Sequence, residues 1–264
     1  MVAHRGASGD APENTWAAFE LALRQGADAI ELDVHLSADG VPVVIHDARL
    51  ERTTSGSGKV HACSAKALQR LDAGSWFNRR YRGKARAAFI GQKIPLLAEV
   101  LDWIKLRRCY SFIEIKEGST VYPGIEAKVI EQIHRAGVEG LVTVISFHLP
   151  VLRECGALDS ALALGFDCTR PLLAVHRAQS VHAQSVLPHW AFASRRFILH
   201  AHRSGLAVLA WDLERPDAIR RKLLDGLDGV ITGYPGRARA VIALWRAGAE
   251  FVQYPRQGPT LAGG

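Results

Sequence analysis

Glu31, Asp33 and His46 are the residues whose types and spacing point most directly to chemistry. They lie in Ala29 to Asp47, AIELDVHLSADGVPVVIHD, where Ile30, Leu32 and Val34 alternate with Glu31, Asp33 and His35. A period of two is that of a β-strand, so Glu31 and Asp33 project from one face. Two such carboxylates cannot both be buried unpaired, because each would cost several kcal/mol. They require a cation or water. After the turn-like Ser37-Ala38-Asp39-Gly40, a second apolar run from Val41 to Ile45 ends in His46-Asp47. Carboxylate pair, chain return and imidazole resemble part of a metal-assisted acid–base site. The plainer reading is a surface hairpin with a solvated polar face.

Stepping outward, the elements that must position these groups alternate between strand and helix. Met1 to His4 is a short strand, followed by a helix from Trp16 capped by Asn14 or Thr15 and closed by Gly26. Between Ala48 and Pro95 turn chemistry dominates, with a short helical piece from Ser64 to Leu71 and a basic loop, Arg79 to Lys93. This stretch is expected to be an insertion packed over one end of the main domain. Alternation then resumes. Strands are predicted at 111–116, 142–147, 160–166, 184–190, 207–211 and 229–232. Helices are predicted at 96–106, 125–136, 148–155, 192–204, 216–224 and 237–247. One domain over residues 1–250 and a disordered tail over 251–264 are expected.

Such alternation implies parallel βαβ units. Nine strand candidates are one more than a TIM (β/α)8 barrel needs, and the Glu31–His35 to Val41–His46 link is too short for a helix. His4, Glu31, Asp33, His46, Glu114 and Lys116 fall at strand ends, where a barrel builds its active site. An open doubly wound sheet is the runner-up, without a glycine-rich nucleotide loop to support it.

The chain has 264 residues, 48% of them hydrophobic, enough for a sizeable core. Its formal charge of +7 suits an anionic substrate, but no interleaved aromatic and basic residues suggest nucleic acid. Cys63, Cys109, Cys155 and Cys168 are widely spaced, indicating neither a zinc site nor a disulfide framework. No apolar run approaches the roughly 20 residues needed to span a bilayer. With no leader pattern at Met1-Val2-Ala3, the expected location is the cytoplasm.

His4-Arg5-Gly6, Pro12-Glu13-Asn14-Thr15, Ile30-Glu31-Leu32-Asp33-Val34, His46-Asp47, Glu51-Arg52-Thr53-Thr54 and Leu71-Asp72-Ala73-Gly74-Ser75-Trp76 follow one another in a specific order. With Ile113-Glu114-Ile115-Lys116, Ser146-Phe147 and Trp211, this order resembles the glycerophosphodiester phosphodiesterase family in its bacterial cytoplasmic type. The resemblance reaches to about Pro235 and is closest in the first 120 residues. It implies a TIM barrel with a small inserted segment after the third strand, a calcium or magnesium ion, and hydrolysis of glycerophosphodiesters.

On that resemblance Glu31, Asp33 and Glu114 are the metal ligands, hard oxygen donors suited to such ions. His4 and His46 are the catalytic acid and base, with the assignment between them open. Arg5 and Lys116 are phosphate clamps, and Phe147 and Trp211 wall the pocket. The attacking group implied is the substrate's own glycerol hydroxyl, giving a cyclic phosphate that water opens. Asn14 and Asp47 are expected to support rather than react, and Glu114 with Lys116 could equally be a strand-face ion pair. His35 is placed past the strand end. His134, His148, His176, His182, His189, His200 and His202 are read as structural and without partners.

Gly233 stands where the family commonly carries aspartate, and Trp211-Asp212-Leu213-Glu214 replaces the usual Trp-x-Val-Asn. These departures bear on the far wall of the pocket. The expected partner is a small phosphodiester, with no nucleic acid and no stable membrane insertion. The basic loop is expected to meet the polar head of the substrate or a membrane surface. Two alternatives accompany this reading. One is a lysophospholipase D or sphingomyelinase D-like activity, which requires an apolar mouth. The other is a non-catalytic barrel that binds phosphodiesters, which requires a broken site.

Overall fold

The computed structural model describes residues 1–248; the tail expected over 251–264 lies outside them. The first half of the chain runs β1 (Val2–Ala3), α1 (Trp16–Arg24), β2 (Ala29–Leu36), β3 (Pro42–Val44), α2 (Ala65–Leu68), α3 (Ser75–Arg80), α4 (Leu97–Arg107) and β4 (Tyr110–Ile115). It continues α5 (Ile125–Ala136), β5 (Val142–Ser146), α6 (Leu149–Leu158), β6 (Ala163–Cys168), α7 (Ala174–Gln179) and β7 (Ser185–Pro188). The last elements are α8 (Arg195–Arg203), β8 (Ala207–Ala210), α9 (Pro216–Leu224), β9 (Gly229–Thr232) and α10 (Pro235–Arg246).

Eight parallel strands close into a barrel, in the order β1, β2, β4, β5, β6, β7, β8, β9 and back to β1. The surplus strand is β3. It runs antiparallel to β2, pairing Leu36 with Pro42 and Val34 with Val44. Two-residue β1 covers only Ala29 and Ile30 of β2, so β3 takes the vacant edge above it. The reversal returns the chain to the level of Asp33, whose carbonyl accepts from Ile45 N–H at 3.0 Å, and His46 follows. A hairpin too short for a helix therefore has a positional use.

Side-chain parity separates two environments. Ile30, Leu32, Val34, Ile113, Val144 and Val186 face the helices in the main core. Val2, Ala29, Phe112, Ile145, Leu187 and Ile231 fill the barrel interior. On the same inward parity, further toward the carboxyl ends, stand Glu31, Asp33, Glu114 and Asp167. Each large buried aliphatic or phenyl group contributes roughly 1.5–3 kcal/mol. The apolar layers thus support a polar mouth.

Local signals account for the helix limits. Thr15 caps α1 by accepting from Ala18 N–H, and Gly26, at φ +79°, ends it. Gly137, at φ +65°, closes α5 in the same way. Two short helices, α3 and α7, carry too few periodic apolar positions to be read from sequence; α7 buries only Ala174, Val175 and Ala178. Between β3 and α4 the chain packs beside the barrel mouth. Leu50, Val60, Ala65, Leu68, Ala73 and Ile94 bury a small cluster on Val43 and Ile45, while Phe77 and Phe89 pack on Ala11 and Ala18 beside α1.

Candidate active site

The β1–α1 loop brings His4 and Arg5 over the mouth. Gly6 makes this possible: at φ +77°, a Cβ there would lie 2.7 Å from the Ala18 carbonyl carbon. Arg5 N–H donates to Glu31 Oε2 at 2.8 Å, fastening the loop to β2. Arg5 Nη1 lies 3.1 Å from Glu13 Oε1 and its Nε 3.3 Å from Asp33 Oδ2.

Beneath them Glu31, Asp33 and Glu114 converge, with an oxygen of each within 4.8 Å of the others. Register explains this: Asp33 pairs with Glu114 across β2 and β4, so their side chains emerge together. All three are buried. Asp33 accepts from Asn14 Nδ2 at 2.7 Å and faces Lys116 Nζ at 3.0 Å. Lys116 Nζ also donates to Glu114 Oε2 at 2.7 Å. Glu31 Oε1 has no partner among the described residues.

The electrostatics are unbalanced. Burial and the neighbouring Asp33 push Glu31 well above the usual carboxylate range. Burial, opposed by Lys116, carries Glu114 up to about 7. For Asp33 burial acts upward too, but Lys116 and Arg5 outweigh it and hold the carboxyl well below its ordinary value. Three buried carboxylates thus face two cations, one of them shared with Glu13. This surplus of hard oxygen donors, with one carboxylate oxygen unpartnered, fits a divalent cation.

Two histidines flank the cluster in matching ways. His46 Nδ1 lies 2.6 Å from Asp47 Oδ1, and His4 Nδ1 2.8 Å from Asp212 Oδ1. Holding Nδ1 leaves Nε2 of each ring for chemistry. His4 Nε2 stands 3.9 Å from Glu31 Oε2. Asp47 is further gripped by Arg52, whose Nε reaches Oδ2 at 2.6 Å and whose Nη2 reaches Oδ1 at 2.8 Å. Arg52 also makes two bonds to Glu13. Burial lowers His46 below the usual imidazole value, with Arg5 and Lys116 adding to the effect against Asp33 and Asp47.

Phe147 and Trp211 meet edge to face at 5.6 Å, and His189 packs on Trp211 at 5.0 Å. A cleft of about 790 Å³ opens beside His4 and Arg5, continuing along Arg52, Trp76, Arg79, Tyr81 and Glu214.

The glycerophosphoryl diester phosphodiesterase family profile matches residues 4–237. The chain belongs to that family. A glycerophosphodiester phosphodiesterase of Caldanaerobacter subterraneus subsp. tengcongensis is 36% identical over 239 residues, 89% of this chain and 94% of the relative. One from Bacillus subtilis is 34% identical over 250 residues, 89% of this chain and 83% of its own. A solved phosphodiesterase from Oleispira antarctica, in complex with the product sn-glycerol-3-phosphate, superposes with TM-score 0.84 at 30% identity, over 92% of this chain and 96% of that one. As a member, the chain is an enzyme of phosphodiester hydrolysis. The barrel expected from its resemblance to the family is the one observed.

Within the family frame, the structure draws together His4, Arg5, Glu31, Asp33, His46, Glu114 and Lys116, while Phe147 and Trp211 stand together in the wall. His35 departs from its expected place. It lies inside β2, buried, with Nε2 2.9 Å from His46 O and Nδ1 2.7 Å from Tyr122 Oη. A carbonyl only accepts, so Nε2 carries the proton and Nδ1 accepts from the Tyr122 hydroxyl, which burial pushes up to about 12. His35 therefore positions the His46 backbone. His134 and His202, read as partnerless, lie 2.7 Å from Asp159 and Asp228 and tie helices to neighbouring strand entries.

Residues with no role in the sequence reading also reach the site. Glu13 bridges Arg5 and Arg52; its place in Pro12-Glu13-Asn14-Thr15 was the available signal. Asp212 pairs with His4, although it appeared only as a departure from the family pattern. Asp167, inside β6 and buried with Oδ2 unpartnered among the described residues, had no sequence signal. A Cβ at Gly233 would sit 2.8 Å from Ser8 Oγ and 3.5 Å from Glu214 Oε1. The carboxylate at this wall comes from position 214.

Proposed function

We propose that this enzyme hydrolyses glycerophosphodiesters, such as glycerophosphocholine and glycerophosphoethanolamine, to sn-glycerol 3-phosphate and an alcohol. Glu31, Asp33 and Glu114 would hold a calcium or magnesium ion. The observation that carries the reading is the pair of aspartate-held imidazoles flanking a buried carboxylate cluster with surplus negative charge. When bound, the cation supplies Lewis acidity at a nonbridging phosphate oxygen.

The remaining work belongs to the chain. Arg5 and Lys116 place positive charge beside the phosphate and stabilise the charge that develops there. His46, held below the usual imidazole value, is neutral at pH 7 and accepts the proton of the attacking glycerol hydroxyl. His4 returns a proton to the leaving alkoxide. The cyclic phosphate so formed is opened by water, with the two imidazoles exchanging roles. Phe147 and Trp211 exclude water on one side. A lipid substrate would need an apolar mouth, whereas Arg52, Arg79, Arg80, Asp212 and Glu214 line this one.

The test is enzymatic detection of glycerol 3-phosphate released from glycerophosphocholine, with and without chelator. Release should stop in excess EDTA and return on adding magnesium or calcium. Undiminished turnover in EDTA, or none from folded, cation-replete enzyme, would sink the reading.

Cation affinity should rise with pH. Glu114 titrates near 7 without a cation, above its ordinary 4.5, so its contribution to stability is present below pH 4.5 and fades as pH rises through 7. Glu31 shifts in the same direction. Binding must displace those protons, so magnesium Kd should fall as pH rises, by up to about tenfold per pH unit for each proton displaced. Calorimetric titration at pH 5.5, 6.5 and 7.5 measures this; a flat Kd contradicts it.

Asp212→Asn should lower kcat about 100-fold with little change in KM. An amide that presents N–H to His4 Nδ1 opposes a proton there, so the ring loses the carboxylate that supports the doubly protonated form donating from Nε2. Loss confined to KM would contradict the role.

A further inference from the structure

Most charges around the cleft are already engaged. Arg5 contacts Glu13 and Asp33, and Arg52 contacts Glu13 and Asp47. Arg79 and Arg80, in the last turn of α3, also line the cleft, and neither has a carboxylate partner among the described residues. They are not carried on a loose loop. Phe77, one turn back, is fully buried and meets the tilted Tyr81 ring at 4.8 Å and Phe89 edge to face at 5.5 Å. Asn78 binds both Arg86 O and Arg86 N–H, and Lys84 Nζ is tied to Asp10 Oδ1 at 2.9 Å. Two guanidinium groups are thus presented from a fixed base into the space that begins at His4 and Arg5.

That space is larger than the scissile phosphate, glycerol and a two-carbon alcohol would fill. Its volume of about 790 Å³ lies toward the upper end of small-molecule sites. A quaternary ammonium head would look for an open aromatic face. Two of the rings lining the cleft already face cations: Lys84 Nζ stands 4.6 Å from the Tyr234 centroid and the Arg237 guanidinium 4.0 Å, and the Arg80 guanidinium lies 6.0 Å from the Tyr81 centroid, while Trp76 shares its short helix with Arg79 and Arg80. Glu214 also lines the cleft, as an acid without an ion-pair partner among the described residues. The paired guanidiniums instead present the planar donor forks that suit phosphate oxygens.

We infer that Arg79 and Arg80 form a second anion subsite, selecting glycerophosphodiesters whose leaving alcohol itself carries a phosphate. The inference rests on the hydrolysis proposed above and names the substrate class of that site. The chemistry required is a polyol phosphate, or a further phosphodiester, linked through its hydroxyl to glycerol phosphate.

A matched pair of substrates tests it: glycerophosphoinositol and glycerophosphoinositol 4-phosphate, differing by one phosphate, with glycerophosphocholine as the cationic comparison. Cation-replete wild type should show kcat/KM at least about tenfold higher for the phosphorylated member, a typical gain for charge-assisted contacts. The preference should shrink at high salt because the subsite is open to solvent. In Arg79→Ser/Arg80→Ser the ratio should fall toward one through KM. Both side chains are exposed, and an unchanged Tm would establish that the variant is folded. A wild-type ratio near one, a preference for glycerophosphocholine, or a ratio unmoved in the variant overturns the inference. So does loss of binding to phosphatidylglycerol vesicles without a change in ratio, which would place the pair at a membrane surface. Absence of glycerol 3-phosphate from all three diesters would defeat the hydrolysis reading itself, whereas turnover without discrimination defeats only the subsite.

Discussion

Asp33→Asn is expected to abolish turnover, by about 1,000-fold or more, and to remove divalent-cation binding. Asp33 is the centre of the cluster, facing Asn14, Arg5 and Lys116 while pairing in register with Glu114. The amide has the same shape but turns one acceptor into a donor. That donor faces either Asn14 Nδ2 and Arg5 or Lys116, all of them donors. Breaking a buried ion pair by removing one partner costs about 3–5 kcal/mol. Lys116 retains Glu114 and Arg5 retains Glu13, so the stability loss should lie near the lower figure. Urea unfolding without cation, calorimetric cation titration and glycerol 3-phosphate release read the three consequences separately. A variant that binds the cation as tightly as wild type and works within tenfold of it would break the assignment.

His46→Ala should lower kcat/KM by about 100- to 10,000-fold, the range for a lost general acid or base. The fold should hardly notice. The His46 side chain is 30% exposed, and Asp47 keeps both bonds from Arg52. The pH profile separates a chemical role from a structural one. His46 lies below the usual imidazole value of 6.5 because of burial, then Arg5 and Lys116. It therefore takes up a proton, and the base form is lost, only as pH falls below that value. With saturating cation, the acidic limb of wild-type kcat/KM should climb through a pKa below 6.5 as pH rises. In the variant that limb should vanish. A variant that keeps the limb, or loses its Tm along with its activity, would move His46 out of the chemistry.

The barrel was legible because its signals are local. Alternation in Ile30 to Val34, helical spacing from Ile125 to Ala136 and closing glycines at 26 and 137 each act within one element, and each appears in the structure at its expected place. Strand ends were less legible. His35 was assigned beyond β2 because periodicity weakens next to a turn, but pairing with Val43 of β3 keeps it in the strand. The surplus strand could be counted in sequence but not placed. Its position depends on β1 being too short to cover β2, a property of the closed sheet.

By itself, the amino-acid sequence determined the family, the eightfold alternation and the residue types that gather at the mouth, because periodicity and motif order survive in one dimension. Only the tertiary structure decided which charges share a neighbourhood. Asp212 meets His4 from a distant part of the chain, Asp167 rises inside the barrel with Oδ2 unpartnered among the described residues, and Glu13 joins two arginines. The reason is physical. Coulombic and hydrogen-bond partners are set by distances of a few ångströms across strands remote in sequence, and burial, which decides how strongly those partners act, exists only once the barrel has closed.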